Sequence, residues 1–179
     1  LRVVTRNAPT TYYIDKDKQP AGPEYDLVMA FAANQNRQVT FILEDTVAGV
    51  LQTLADGKAD IAAAGLGLTD ERQSRFLFTR SYRKGKQQLV CRRGAKKARS
   101  IGQLQDISLE VIADSTYIAR LEKLKLDYPE LKWTVNHSED TEQLLQKVWR
   151  KRLDCTIADS NIVAVNRRYL PELLVMFDI

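Results

Sequence analysis

The 179-residue sequence predicts an α/β protein of two lobes, each built from strands joined by crossover helices. Three observations carry this reading. The first eighty residues alternate as strand, helix, strand, helix, strand, and the second half repeats the alternation. Each half also places a glycine-bearing or basic turn ahead of a short apolar strand. These are Gly57-Lys58-Ala59-Asp60 before Ile61 to Ala64, and Arg150-Lys151-Arg152-Leu153-Asp154 before Cys155 to Ala158. In parallel sheets ligands sit beyond the carboxyl ends of the strands. A crevice between two such lobes is the default place for a small molecule.

In chain order, Leu1 to Thr5 has strand composition and leads into a polar, proline-punctuated loop through Pro9, Tyr12, Tyr13, Pro20 and Pro23. The adjacent tyrosines either wall a pocket or pack as half-buried rings. Leu27, Val28, Phe31 and Ala32 recur at helical spacing, with Glu24 and Asp26 where acids favour a helix start. Val39 to Leu43 reads as a second strand, and Val47 to Ala55 as a second helix closed by Gly57. The third strand, Asp60 to Ala64, is followed by a glycine-relaxed turn, Gly65 to Arg72, whose glycines let backbone approach a ligand. Arg72 at its end offers a planar fork of donors suited to a carboxylate.

The second half opens with a strand from Gln87 to Cys91 and a basic loop to Arg99. A short helix at Ser100 to Leu104 and a strand from Ser108 to Ala113 come next. A helix from Ser115-Thr116 presents Ile118, Leu121, Leu124 and Leu126 on one side. Trp133 to Val135 is a strand, and a helix capped near Ser138 to Thr141 presents Leu144, Leu145 and Val148. Leu153 to Asp159 is a strand ending in a carboxylate. Ser160 to Tyr169 is a helix and Leu173 to Phe177 a last strand.

Composition excludes several classes. No apolar run approaches the roughly 18 to 20 residues of a membrane helix. The chain opens at Leu1 directly in strand-like sequence, which reads as a processed start. Formal net charge is +4, but the excess is local: Arg72 to Arg99 holds eleven Lys or Arg and no Asp or Glu. That run lacks the interleaved aromatics of a single-strand binder, so a solvated basic face is the simpler reading and no nucleic acid is expected. Cys91 and Cys155 lie in apolar strand-like runs without metal-ligand spacing and read as buried free thiols; a bridge would need their strands to be neighbours. His137 sits in a polar loop with no second ligand, so no metal and no cofactor is expected. Trp133 and Trp149 read as packing residues.

A family resemblance follows from several segments taken together. They are the initial Leu-Arg-Val strand, Gly22 to Leu27, Gly57-Lys58-Ala59-Asp60, Thr69-Asp70-Glu71-Arg72, Phe78 and Tyr82, and Arg152-Leu153-Asp154 through Ala158-Asp159-Ser160. In this order the sequence resembles the family 3 extracellular solute-binding proteins over nearly its whole length. Within them it is most similar to the solute-binding-like module of the membrane-bound lytic transglycosylase F group, through residues 51–66, Gln87-Gln88-Leu89-Val90, Pro129 to Trp133 and Leu153 to Ser160. The resemblance implies a type II periplasmic-binding-protein-like clamshell. Lobe 1 would hold residues 1–88 plus a returning strand at 174–179, and lobe 2 residues 89–173. Two crossing strands would join them near 87 to 91 and 173 to 177, with lobe 1 incomplete at its C-terminus.

The resemblance also implies a ligand set. Arg72 matches the arginine that holds an amino acid's α-carboxylate, and Asp159 the acid that takes its ammonium. Tyr12 matches an aromatic wall, and Thr116 a helix-start hydroxyl that joins carboxylate binding. Gly65 and Gly67 line the approach. Gly67 stands where amino-acid-binding relatives carry Ser or Thr, and Ser115 where glycine is common, which favours a weaker or larger ligand.

The function implied is a non-catalytic periplasmic sensing module of a peptidoglycan lytic transglycosylase, outer-membrane associated in the full-length protein. It would bind a small amphoteric ligand, an amino acid or cell-wall peptide. Its partner would be a C-terminal lysozyme-like domain, where the general-acid glutamate of such chemistry resides. Three alternatives stay open: a stand-alone amino-acid-binding protein of an ABC transporter, a dehydratase-like enzyme using Asp159 or Glu71, and the effector domain of a transcription regulator. Within the residues themselves Arg72 could form an ion pair instead, and Asp159 could cap the helix that follows it.

Overall fold

In the computed structural model, which describes residues 1–179, β1 (Arg2–Thr5) is the middle strand of a parallel sheet. It lies between β4 (Thr40–Leu43) and β5 (Ile61–Ala62), with Val3 opposite both Phe41 and Ile61. Val3 and Val4 are fully buried, as expected of a central parallel strand covered on both faces. The crossovers are α1 (Pro23–Asn34) and α2 (Val47–Ala55). Between β1 and α1 a small antiparallel hairpin forms from β2 (Tyr13–Ile14) and β3 (Pro20–Ala21). Its turn is held by the Asp15 carboxylate, which accepts from the Asp17 and Gln19 amides at 2.8 and 2.9 Å.

The start of α1 is dictated by two residues. Pro23 occupies its first turn, where no backbone donor is needed. Gly22, at φ 131°, lies so close to Thr11 that an added Cβ would stand 2.2 Å from the Thr11 carbonyl oxygen. Helix α2 begins as the sequence predicts, with the Thr46 hydroxyl accepting from the Gly49 amide at 3.0 Å. Val4, Val50, Ala59 and Ala64 form its core contact with the sheet. The third strand is shorter than expected from Asp60 to Ala64. Asp60 instead binds the Arg2 amide and guanidinium, at 2.8 and 2.6 Å, and the chain leaves the ladder to reach φ 67° at Gly65.

These elements make up one compact unit, Leu1–Leu66; the second is Gly67–Ile179. Residues 67–86 belong to the second unit.

The second unit begins with α3 (Asp70–Arg75) and is built on a five-stranded sheet of order β10-β6-β9-β7-β8. These strands are β6 (Gln87–Arg92), β7 (Leu109–Ile112), β8 (Thr134–Asn136), β9 (Cys155–Asp159) and β10 (Leu173–Asp178). Strands β7, β8 and β9 are parallel, but β6 runs antiparallel to both β9 and β10. The second half therefore does not simply repeat the parallel alternation of the first. A 3-10 helix (Ile101–Asp106), α4 (Thr116–Asp127), α5 (Thr141–Trp149) and α6 (Ser160–Asn166) complete it.

Helix α5 carries a capping box. The Asp140 carboxylate accepts from the Gln143 amide at 2.7 Å, and the Gln143 side chain accepts from the Asp140 amide at 2.8 Å. Its Leu145 and Val148 pack with Val90, Ala158, Ile162, Val163 and Leu173 in the core. On α4 the buried stripe is Tyr117, Leu121 and Leu124, while Leu126 is 83% exposed. Leu126 lies two residues beyond Leu124, off the i, i+4, i+7 row that Tyr117 begins.

The cysteines are not free thiols. Cys91 of β6 and Cys155 of β9 are directly paired across the two strands and form a disulfide, with Cα atoms 4.2 Å apart. Their sequence separation of 64 hid the adjacency, because the antiparallel return of β6 cannot be read locally. His137 is exposed; of the two tryptophans expected to pack, Trp133 is half-buried but Trp149 is exposed, at 36%. No helix is long and apolar enough to cross a membrane.

Candidate functional site

Five of the residues expected to bind a ligand are brought together by a continuous series of contacts in Gly67–Ile179. Arg72 is not delivered by a turn, as the glycines had indicated. Thr69 caps α3, its hydroxyl accepting from the Arg72 amide at 3.2 Å, and Arg72 sits in that helix's first turn. Its guanidinium donates to the Gly67 carbonyl at 2.7 Å and to the Asp114 carbonyl. Arg72 is 7% exposed, and burial pulls its pKa below the ordinary arginine value, while the charges of Asp114 and Glu71 oppose that shift. A guanidinium has five N–H donors, so a fork that spends donors on two carbonyls keeps others for an anion.

Gly67 is explained by its neighbour. A Cβ there would come 2.8 Å from the Thr116 Cγ2, so the glycine lets the chain lie against the start of α4. Thr116 is the first residue of that helix, and its hydroxyl accepts from the Gln87 side-chain amide at 2.7 Å. Ser115, just before it, donates its hydroxyl to the Ile112 carbonyl at 2.7 Å. Asp114 adopts φ 52°, the left-handed turn from which its carbonyl meets Arg72.

Gln87 pairs in register with Asp159, the last residue of β9. Asp159 stands at the cap position of α6, yet its side chain makes no capping bond. Its amide donates to the Tyr117 hydroxyl at 3.1 Å. Burial raises the Asp159 carboxyl above the ordinary range, against the lowering effects of a Tyr117 hydrogen bond and the Arg83 charge. Burial also pushes the Tyr117 phenol far above its normal value, so it stays neutral and serves only as a hydrogen-bonding post. The unit thus joins a cation, a helix start and a desolvated carboxyl, the elements needed to grip a zwitterion.

Gly65 and Tyr12 lie in Leu1–Leu66. The Gly65 amide is taken by the Glu24 carboxylate, at 2.8 and 2.9 Å to its two oxygens. The φ of 67° accounts for the glycine itself. Tyr12 packs with Tyr25 and Phe41 at ring separations of 5.9 and 5.1 Å. Sequence reasoning missed Gln87, Tyr117 and the Glu24 role. Tyr117 was discoverable from the i, i+4, i+7 spacing with Leu121 and Leu124. Glu24 was not, because its partner is 41 residues away.

The fold is that of the type II, two-lobed periplasmic-binding class, a mixed α/β architecture with open sheets. The family model for bacterial extracellular solute-binding proteins, family 3, matches residues 1–172, and the chain belongs to that family. Over 180 residues it is 45% identical to membrane-bound lytic murein transglycosylase F 2 of Alkalilimnicola ehrlichii and 39% identical to transglycosylase F 1 of the same organism. Both matches cover all of this chain, which spans 40% and 36% of those relatives' lengths. Among solved structures, an ancestral arginine-binding protein bound to arginine superposes with a TM-score of 0.86 at 23% identity, covering all of this chain and 79% of that one. An ancestral amino acid-binding protein, a precursor of cyclohexadienyl dehydratase, gives 0.80 at 26% identity, covering 99% of this chain and 77% of that one.

Proposed function

We propose that this chain is a ligand-sensing module of a peptidoglycan lytic transglycosylase, binding an amino acid or a cell-wall peptide without catalysing a reaction itself. The observation that carries the reading is the 45% identity to a transglycosylase F across the whole chain. Arg72 takes the ligand carboxylate, with Thr116 and the start of α4 beside it, and Asp159 takes the ammonium. Ser115 contributes through the turn that opens α4. Gly67 supplies close backbone approach and no hydroxyl, which favours a larger ligand over a tightly held free amino acid. The module acts in the periplasm, outer-membrane associated in the full-length protein, an oxidising compartment in which the Cys91–Cys155 bridge persists.

Calorimetry with free amino acids and muropeptides tests this. Binding by the wild-type chain and at least a tenfold loss in Arg72→Met is expected; unchanged binding in the variant removes Arg72 from the site. A second reading, a stand-alone amino-acid-binding protein of a transporter, draws on the superposition with an arginine-binding protein. Binding of free amino acids far tighter than muropeptides favours it.

A further inference from the structure

A second cation in this molecule has no assigned task. Arg6 directly follows β1, one residue past the last pair of the parallel register, Thr5 with Leu43. It therefore lies at the carboxyl edge of the three-stranded sheet, the edge at which parallel sheets take their ligands. Arg6 is only 7% exposed, and its Nε makes no hydrogen bond. The neighbouring Thr5 hydroxyl, 1% exposed, is likewise without a partner. The backbone around them is firmly placed: the Thr11 hydroxyl donates to the Arg6 carbonyl at 2.8 Å, and the Glu44 amide to the Thr5 carbonyl at 3.0 Å. Two ion pairs of this unit, Arg2–Asp60 and Lys58–Asp56, lie on its surface and do not involve Arg6.

A buried guanidinium with an unused donor costs stability unless something satisfies it. Buried polar atoms left unpaired in an otherwise paired protein call for an explanation, and an unfilled ligand contact is one. From this geometry we infer that Arg6, with the Thr5 hydroxyl beside it, is a carboxylate-binding position of Leu1–Leu66. It would make the chain selective for ligands that carry an acidic group and would repel those that carry a cationic one. The chemistry fits: a guanidinium donates two parallel bonds to a carboxylate, and a hydroxyl adds a third donor. The inference does not rest on the role given to Arg72.

L-glutamate and L-glutamine are the probes, since they differ only in a carboxylate against an amide of the same size. Titration calorimetry on the 179-residue chain is expected to give at least tenfold tighter binding of glutamate than of glutamine, with L-arginine weaker than either. In Arg6→Gln the ratio of glutamate to glutamine affinity should fall to within twofold. Arg6→Lys, which keeps the charge and loses the fork, should retain part of the preference and guards against a folding artefact. Equal affinities in the wild type, arginine binding tightest, a preference that survives Arg6→Gln, or no binding of any probe would each overturn the inference. Glutamine binding that is lost in Arg72→Met but shows no glutamate advantage would remove the Arg6 role and leave the reading of Arg72 standing.

Discussion

Asp159 is where residue chemistry and function pull in opposite directions. Its carboxyl is desolvated, and its folded-state pKa lies above the unfolded value, so ionisation costs stability at neutral pH. The penalty is present above the folded pKa and fades as pH falls through it. Asp159→Asn is therefore expected to raise the melting temperature of the unliganded chain at pH 7, with the advantage shrinking toward pH 4; melts across that range check it. Gly67→Ala tests the adjoining contact. The added methyl would meet the Thr116 Cγ2 at 2.8 Å, and a β-branched side chain has little freedom to move away. A loss of about 1–3 kcal/mol is expected in urea denaturation. Thr116→Ser, which removes that methyl and keeps the hydroxyl for Gln87, should restore most of it. Arg72→Met would strip a donor from the Gly67 and Asp114 carbonyls, so its stability must be measured beside its binding.

Among the elements, the β6–β9 pair is held by the disulfide as well as by its ladder. Closing a separation of 64 residues restricts the unfolded chain, and replacing both cysteines by alanine is expected to cost about 2–5 kcal/mol. Denaturation of the double variant against the oxidised wild type measures it. Helix α5 offers a smaller, independent test. Asp140→Ala removes one side of its capping box and should cost about 1 kcal/mol. The contrast between these elements marks what local sequence can specify. The capping box is written within four residues, and the helix start was anticipated near Ser138 to Thr141. The disulfide depends on strand adjacency that no local pattern contains, and free thiols were the natural expectation. Likewise Arg72 was expected in a glycine turn, although Thr69-Asp70-Glu71 before it is itself a cap followed by first-turn acids.

At the scale of the molecule, the two compact units are unequally anchored. Leu1–Leu66 rests on a three-stranded sheet whose β5 has two residues, whereas Gly67–Ile179 has five strands, a disulfide and the large core cluster around Leu145 and Ile162. Native-state hydrogen exchange should find its slowest amides in β6 and β9 and faster exchange in β5. Comparable protection in β5 would contradict this ranking. By itself the sequence determined the α/β class, most helices and strands, and a resemblance that family membership upheld. These follow from hydrophobic periodicity, caps and breakers, all of which act within one turn or one strand. The tertiary structure decided what depends on distant pairing. It turned β6 and β10 antiparallel, bridged the cysteines, gave Glu24 to the Gly65 amide, joined Arg72 to Thr116 and Asp159 through Gly67 and Gln87, and left Arg6 buried with an unused donor. All but the last are contacts between segments far apart in the chain, where burial and hydrogen-bond satisfaction rather than local preference select the partner.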